Sequence, residues 1–401
     1  MNVTALASRQ FRRYLGGNVF ALNALWMLRV TAGWIAWDMT GSAGFVGAVA
    51  FLYFAPTMVA GPLFGVLTDR IDIRRAAVLT QSAMMFLAAS LSVLYGTGLL
   101  TPIGLVAYAA LTGLAMSAHA PIRMSLAPRL VDRDTIGSAV NLVAMNFNIA
   151  RMTGPALAGV LIARYGVLTC LLVTTVCYLP FILALASLRP RPRDGARPEG
   201  ERFLDALFDG IGFVRKTPDI REALFIVALS SFFLRGLIEV LPILADGVFG
   251  RGASGLGLLT SAAGLGAVLA GLALAVAPPQ LDGKVPTMIP VLYAVGLLVL
   301  ALLGALQVWG VAVALVAALA FVSTVVSITC QSAIQMRIDD TFRGRVMSLW
   351  AVVAIGAAAL GSLAFGAMAD LVAFRATALT MAGLGLAALM LRLTLRILGP
   401  R

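Results

Sequence analysis

The chain has little of what a soluble enzyme depends on. Charged residues make up 12% of its 401 positions, about half the usual share for a soluble domain. There is one histidine, His119, and there are three cysteines. One histidine with so few partners does not assemble a zinc or haem site, so no metal and no cofactor is expected. Cys170 and Cys177 fall on one apolar stretch, about 10 Å apart along a helix. That is too far for a disulfide, and Cys330 stands alone. The phosphate-loop pattern Gly-x-x-x-x-Gly-Lys-Ser/Thr is missing, which argues against ATP as an energy source bound within this chain. The start, Met1 to Arg13, has no small-residue cleavage site behind a short apolar core, so it reads as a retained terminus rather than a signal peptide.

Apolar residues fill the rest. They make up 60% of the chain, and mean hydropathy is +0.96. Apolar runs of roughly 20 residues, each enough to cross a bilayer, recur throughout. We read an all-α integral membrane protein with twelve spans, at roughly 15–38, 44–68, 74–97, 100–122, 136–163, 165–188, 220–246, 253–277, 285–306, 308–334, 344–370 and 372–396. The division expected is an N-terminal six-helix bundle over 1–188, a cytoplasmic linker over 189–218 and a C-terminal six-helix bundle over 219–401. In the linker, Arg189, Arg191, Arg193 and Arg197 stand among prolines, which predicts an extended, solvated start. Phe203, Leu204, Leu207, Phe208 and Ile211 then recur at helical spacing, which predicts a short amphipathic helix on the membrane surface.

A net charge of +12 suggests nucleic acid, but the bases sit in short connections between spans, where a membrane topology puts them. Both tails and the even-numbered connections hold nearly all of them, among them Arg12, Arg13, Arg70, Arg74, Arg75, Arg123, Arg129, Arg337, Arg343, Arg345 and Arg392. The odd-numbered connections hold only Arg164, Arg251 and Arg375. Both termini are therefore expected in the cytoplasm, with the protein spanning the cell membrane.

The two halves resemble each other. Leu28-Arg29, Asp38 and Gly41 to Gly44 recur as Leu234-Arg235, Asp246 and Gly252 to Gly255. Asp132, Gly154 and Gly159 recur as Asp339, Gly361 and Gly366. Such an internal repeat predicts two halves of like topology.

Gly61 to Arg75 carries the strongest motif. Gly61 and Gly65 allow close helix approach, and Asp69, Arg70, Asp72, Arg74 and Arg75 follow in a dense charged patch. The stretch resembles the loop between the second and third helices of the major facilitator superfamily, with Gly65, Leu67, Asp69, Arg70 and Arg74 on matching or near-matching positions. It departs at Asp72, where the superfamily favours Gly, and at Ile73, where it favours Arg. Residues 26–30, 38–42, 146–159 and 342–348 are similar to the enterobactin-exporter-like and macrolide-efflux-like branch. Gly154-Pro155 is similar to the antiporter motif of exporting facilitators, with departures at Ala150 and Asn141. The resemblance implies two six-helix bundles around a central cavity bordered by spans 1, 5 and 7. It also implies that Asp69 latches onto the start of span 11, near Arg343 and Arg345, to hold an outward-open state.

Charges inside spans are costly unless paired or facing water, near ~3 kcal/mol at a span centre. Arg29 lies in span 1, Arg151 in span 5, and Arg235 with Glu239 in span 7. Arg235 and Glu239 are one turn apart and can pair, either as a structural ion pair or as a proton site with Arg235 setting its affinity. Glu239 is read as the only acid well inside a span. Arg29 and Arg151 either bond backbone carbonyls and the amides Asn18, Asn23, Asn146 and Asn148, or recognise an anionic cargo. Asp38 and Asp246 read as rim residues at the outer ends of spans 1 and 7, and His119, beside Pro121, as a packed interface residue.

These readings predict a monomeric secondary-active exporter, coupled to protons, of a small amphiphilic or anionic molecule. A lipid or lysophospholipid flippase is the alternative within transport. A non-transporting membrane enzyme or scaffold is the remote alternative, because no cluster of His, Asp or Cys is available for catalysis.

Overall fold

The computed structural model describes residues 4–67, 71–191, 211–277, 279, 284–306, 308–338 and 340–398; the side chains at 62, 63, 65–67, 120, 340–345 and 396–398 are not described. Its long helices are α1 (Arg9–Thr40), α2 (Ala43–Leu67), α3 (Ile73–Gly96), α4 (Pro102–Leu126), α5 (Ile136–Cys177) and α6 (Leu179–Ser187). After the linker come α7 (Pro218–Ser230), α8 (Gly252–Val276), α9 (Met288–Ala305), α10 (Trp309–Arg337) and α11 (Asp340–Leu398). Among the described residues, nine helices are long and apolar enough to cross a membrane.

The twelve expected spans fit those nine. The fifth and sixth spans run together through α5 and α6, with non-helical backbone at Gly166. The eleventh and twelfth run together through α11, with a break at Val372 and Ala373. The seventh is broken by wide π turns at Ser231–Arg235 and Ile243–Val248, so no single long helix represents it. Gly166 takes φ 82°, which glycine adopts without a Cβ clash. Ala373 takes φ 61° at the same offset that separates Gly154 from Gly361. The repeat therefore extends to where the chain turns between spans.

Helix starts follow local chemistry. Thr101 caps α4, its hydroxyl accepting from the Gly104 amide at 3.1 Å with Pro102 in the first turn. Asp72 caps α3 and accepts from the amides of Arg74 at 2.9 Å and Arg75 at 3.0 Å. Large apolar side chains point outward, with Ile103 82% and Val276 86% exposed. Exposed apolar surface of that kind suits lipid rather than water.

Two compact units form: Met1–Met39 with Leu52–Phe203 and Gly252–Ser261, and Thr40–Phe51 with Leu204–Arg251 and Ala262–Arg401. The start of α2 thus belongs to the second unit, and the start of α8 to the first. In the first, Gly17 of α1 meets the Phe181 backbone of α6, and Phe181 stacks edge-on to Tyr14 at 5.4 Å. Gly154 of α5 lies against Trp26 of α1, and Gly159 faces Gly257 of α8, where an added Cβ would come within 2.5 Å of the opposite Cα. In the second unit, α11 uses the repeat-related glycines in the same way. Gly361 lies against Phe232 of the broken seventh span, and Gly366 against Ala43 at the start of α2. Only a missing side chain lets these backbones meet.

The amphipathic stretch expected at 203–211 falls almost entirely outside the described residues; 211–216 is helical.

Candidate functional site

Span 1 carries Trp26 and Arg29 on one face, because they are three residues apart. Trp26 meets Phe147 of α5 edge-on, centroids 5.7 Å apart at 65°. The Arg29 guanidinium sits over the Trp26 ring at 5.2 Å and over the Phe54 ring of α2 at 4.5 Å. The Arg151 guanidinium sits over Trp26 at 6.0 Å. Ring faces attract cations at about 0.5–2 kcal/mol each. Arg29 and Arg151, chosen from sequence for lying in spans, therefore converge on one tryptophan.

A third arginine joins them, and its position corrects the sequence reading. Arg123 was counted with the connection after span 4; α4 instead runs to Leu126. Its guanidinium stacks over Phe147 at 5.1 Å. Sequence reasoning missed it because a basic residue near a span end looks like a topology charge. The available signal was Pro121, which the helix contains rather than ends at.

The asparagines divide. Asn146 is buried, and its Nδ2 finds no hydrogen-bond partner among the described residues. Asn148 is exposed and donates to the Ala144 carbonyl at 3.0 Å, so its amide is used within its own helix. Asn23 accepts from Thr153 at 2.7 Å, tying α1 to α5. Asn18 is fully buried, and its amide finds no partner among the described residues.

In the second unit, Arg235 and Glu239 do pair, Nε to Oε1 at 3.7 Å, with Glu239 mostly buried. Arg235 closes the first π turn and Glu239 follows the short helix Gly236–Ile238. Wide π turns often mark functional positions. Glu239 is not alone as an in-span acid, however. Glu222 lies in α7, only 9% exposed, and takes two hydrogen bonds from Arg392 of α11, at 3.0 Å from Nε and 2.8 Å from Nη2. Arg392, read from sequence as a tail charge, is thus committed to a buried pair. Glu222 escaped notice because it is only four residues past Pro218, where the helix starts. The expected rim residues separate: Asp38 is exposed near the end of α1, and Asp246 lies in the second π turn.

Of the motif loop, Asp69 and Arg70 lie outside the described residues, as do the side chains of Arg343 and Arg345, while Gly65 falls within α2. Gly61 is in α2, with Thr57 the nearest neighbour to its missing Cβ. Arg74 reaches the carbonyls of Ala186 and Leu188 at 3.5 Å, tying α3 to the end of α6, and Arg75 lies 3.7 Å from Asp72. The departure at Asp72 has a local cause. The Arg75 amide first, then the Arg74 amide and both guanidinium groups, hold the exposed Asp72 carboxyl below its ordinary range.

At the opposite end of α2, Asp370 does the comparable work. It accepts from the Ala43 amide at 2.6 Å, the Gly44 amide at 2.8 Å and the Ser42 hydroxyl at 2.6 Å. Ser42 in turn accepts from the Phe45 amide at 3.1 Å. The first three amides of α2 are thereby all satisfied, two of them by a residue from α11.

The relatives agree with this architecture. The family profile described as transmembrane secretion effector matches residues 2–399. The staphyloferrin A transporter of Staphylococcus aureus is 25% identical over 62% of this chain and 62% of its own length. The multidrug efflux pump Tap of Mycolicibacterium fortuitum is 26% identical over 87% of this chain and 86% of its own. The chain thus spans less than two thirds of the staphyloferrin A transporter. Among solved structures, a bacterial homolog of the human lysosomal transporter Spinster, inward-facing and unoccupied, superposes with a TM-score of 0.74 at 13% identity, covering 95% of this chain and 96% of that one. The nucleoside transporter NupG superposes at 0.73 with 10% identity, covering 96% and 99%. With the profile matching almost end to end, the chain belongs to the transmembrane secretion effector family of the major facilitator superfamily of membrane transporters.

Proposed function

We propose that the protein is a secondary-active exporter that moves a small anionic or amphiphilic molecule out of the cell by alternating access, with protons as the coupling ion. The carrying observation is the convergence of Arg29 and Arg151 on Trp26 within one aromatic cluster. Guanidinium groups match a carboxylate or phosphate in charge and geometry, while the rings offer an apolar surface. Two relatives named as a staphyloferrin A transporter and a multidrug efflux pump support export of small molecules.

Glu239 is the coupling group in this reading. It binds a proton in one state and releases it in the other as Arg235 approaches or withdraws. Two latches set the alternation. Asp69 meets the start of span 11 and closes the cytoplasmic end. Asp370 meets the start of α2 and closes the outer end. Anions favour helix N-termini, and α2 and span 11 run antiparallel, so each presents its start where the other ends. Both termini are cytoplasmic, the bundles divide at the 189–218 linker, and the monomer is the working unit.

Flux in reconstituted vesicles tests the function. A carboxylated dye should be exported faster than its neutral amide, and faster with an imposed proton gradient. Equal rates for the two dyes would refute the anionic preference, and insensitivity to the gradient would refute proton coupling.

A further inference from the structure

We propose that Arg123, Tyr14 and His119 form a second anion subsite, distinct from the Arg29–Arg151 pair and joined to it through Phe147 and Trp26. It would take a carboxylate or phosphate at the far end of a dianionic cargo. This rests on the anionic-cargo reading above.

The Nε and Nη1 of Arg123, the Nδ1 of His119 and the hydroxyl of Tyr14 are all buried and without a hydrogen-bond partner among the described residues. Buried polar atoms are nearly always bonded, so several orphans in one place call for an explanation. They share a place. His119 and Arg123 are one turn apart on α4 and face the same side. Tyr14 of α1 lies within electrostatic range of the Arg123 guanidinium. No ion pair involves Arg123 among the described residues; its guanidinium lies 5.1 Å from the Phe147 ring, with Tyr14 and His119 within electrostatic range.

Packing does not account for this arrangement. A ring under a guanidinium occupies its face and leaves the in-plane N–H groups unused. Those donors, the tyrosine hydroxyl and a His119 ring in its Nδ1–H tautomer gather about one guanidinium. An anion satisfies them all, whereas a neutral apolar group would leave every one unmade. Arg123 and Phe147 each keep part of their surface exposed, while the orphaned donor atoms themselves are buried, so a cargo group reaches those donors only as the helices around α4 part. The step from Arg123 to Phe147 to Trp26 to Arg29 is a continuous series of ring contacts. A molecule with an apolar middle and an anion at each end fits that series.

Octanedioate, octanoate and the neutral octanediamide test the subsite, by equilibrium binding to the purified full-length protein in detergent. The wild type should prefer octanedioate to octanoate, and octanoate to octanediamide. Arg123→Gln should lower octanedioate affinity about tenfold, to the level of octanoate, and leave octanoate unchanged. Arg29→Gln should lower both. Arg123→Lys should recover part of the loss. If Arg123→Gln weakens octanoate as much as octanedioate, or neither, the second subsite is overturned while the anionic-cargo reading stands. If the wild type binds octanediamide as well as octanedioate, the anionic-cargo reading fails and the subsite fails with it. Should Arg123→Gln not fold, Tyr14→Phe keeps the buried ring and removes only the hydroxyl. A loss of about threefold for octanedioate alone supports the subsite, and no loss overturns it.

Discussion

Asp370→Ala is the most direct test of alternating access, because the residue joins two helices far apart in sequence. In the structure it satisfies the Ala43 and Gly44 amides and receives the Ser42 hydroxyl. Its removal acts on a state in which α2 and α11 meet at this end, and not on a state in which they have parted. Loss of a helix cap costs about 1 kcal/mol, and loss of a carboxylate at a helix start adds roughly 0.5 kcal/mol. Asp370 is exposed, so water replaces part of what is lost and salt screens the charge. A net shift of about 1 kcal/mol, roughly fivefold in population, is expected. Asp370→Asn keeps an acceptor and should shift it by roughly threefold. Spin labels at Thr40→Cys and Leu371→Cys, in a background without Cys170, Cys177 and Cys330, report the separation across this end. The long-distance population should grow in Asp370→Ala, and more so at low salt. A distance distribution matching that of the parent would refute the latch.

Four further outcomes follow from residues already placed. Glu239→Gln should abolish accumulation driven by a proton gradient while leaving exchange down the cargo's own gradient; uphill export with normal pH dependence would make the Arg235 pair purely structural. Glu222→Ala should lower stability by about 3 kcal/mol by stranding Arg392, whereas Glu222→Leu with Arg392→Met should restore most of it, read as melting temperature in detergent. Asp72 has a depressed pKa, so its cap on α3 is present above the ordinary carboxylate value of about 3.9 and lost as pH falls through the lower folded value; the exchange protection factors of the Arg74 and Arg75 amides, taken relative to the intrinsic rate at each pH, should fall on acidification, and in Asp72→Ala at neutral pH. Ala373→Gly, which gives this turn the residue found at Gly166, should stabilise by about 1 kcal/mol, and an unchanged melting temperature would remove the strain argument.

Much of the architecture was legible because bilayers impose simple rules. Span length and the repeat of Gly154 and Gly159 as Gly361 and Gly366 follow from apolar length and backbone approach. Arg29, Arg151, Arg235 and Glu239 were legible because a charge within an apolar run stands out. Arg123, Glu222 and Arg392 were not. Each lies within a few residues of a span end, where sequence does not distinguish a topology charge from a buried one. What decides them is which neighbour the helix turns toward: Phe147 for Arg123, and Glu222 for Arg392. The Asp370 contact was illegible for another reason. Two of its three partners are backbone amides, and amides carry no residue-specific mark in a sequence.

The two π turns of the seventh span change how this chain must be compared with others. A π turn carries about one residue more than an α turn, which moves every later side chain by about 100° around the axis. A helical wheel drawn through Ser231 to Val248 therefore puts Glu239 on the wrong face, and so does an alignment that runs ungapped into a relative whose seventh helix is regular. With a one-residue gap at each wide turn, like positions face like directions. Without it, an acid that two proteins share in space looks like a substitution in one of them.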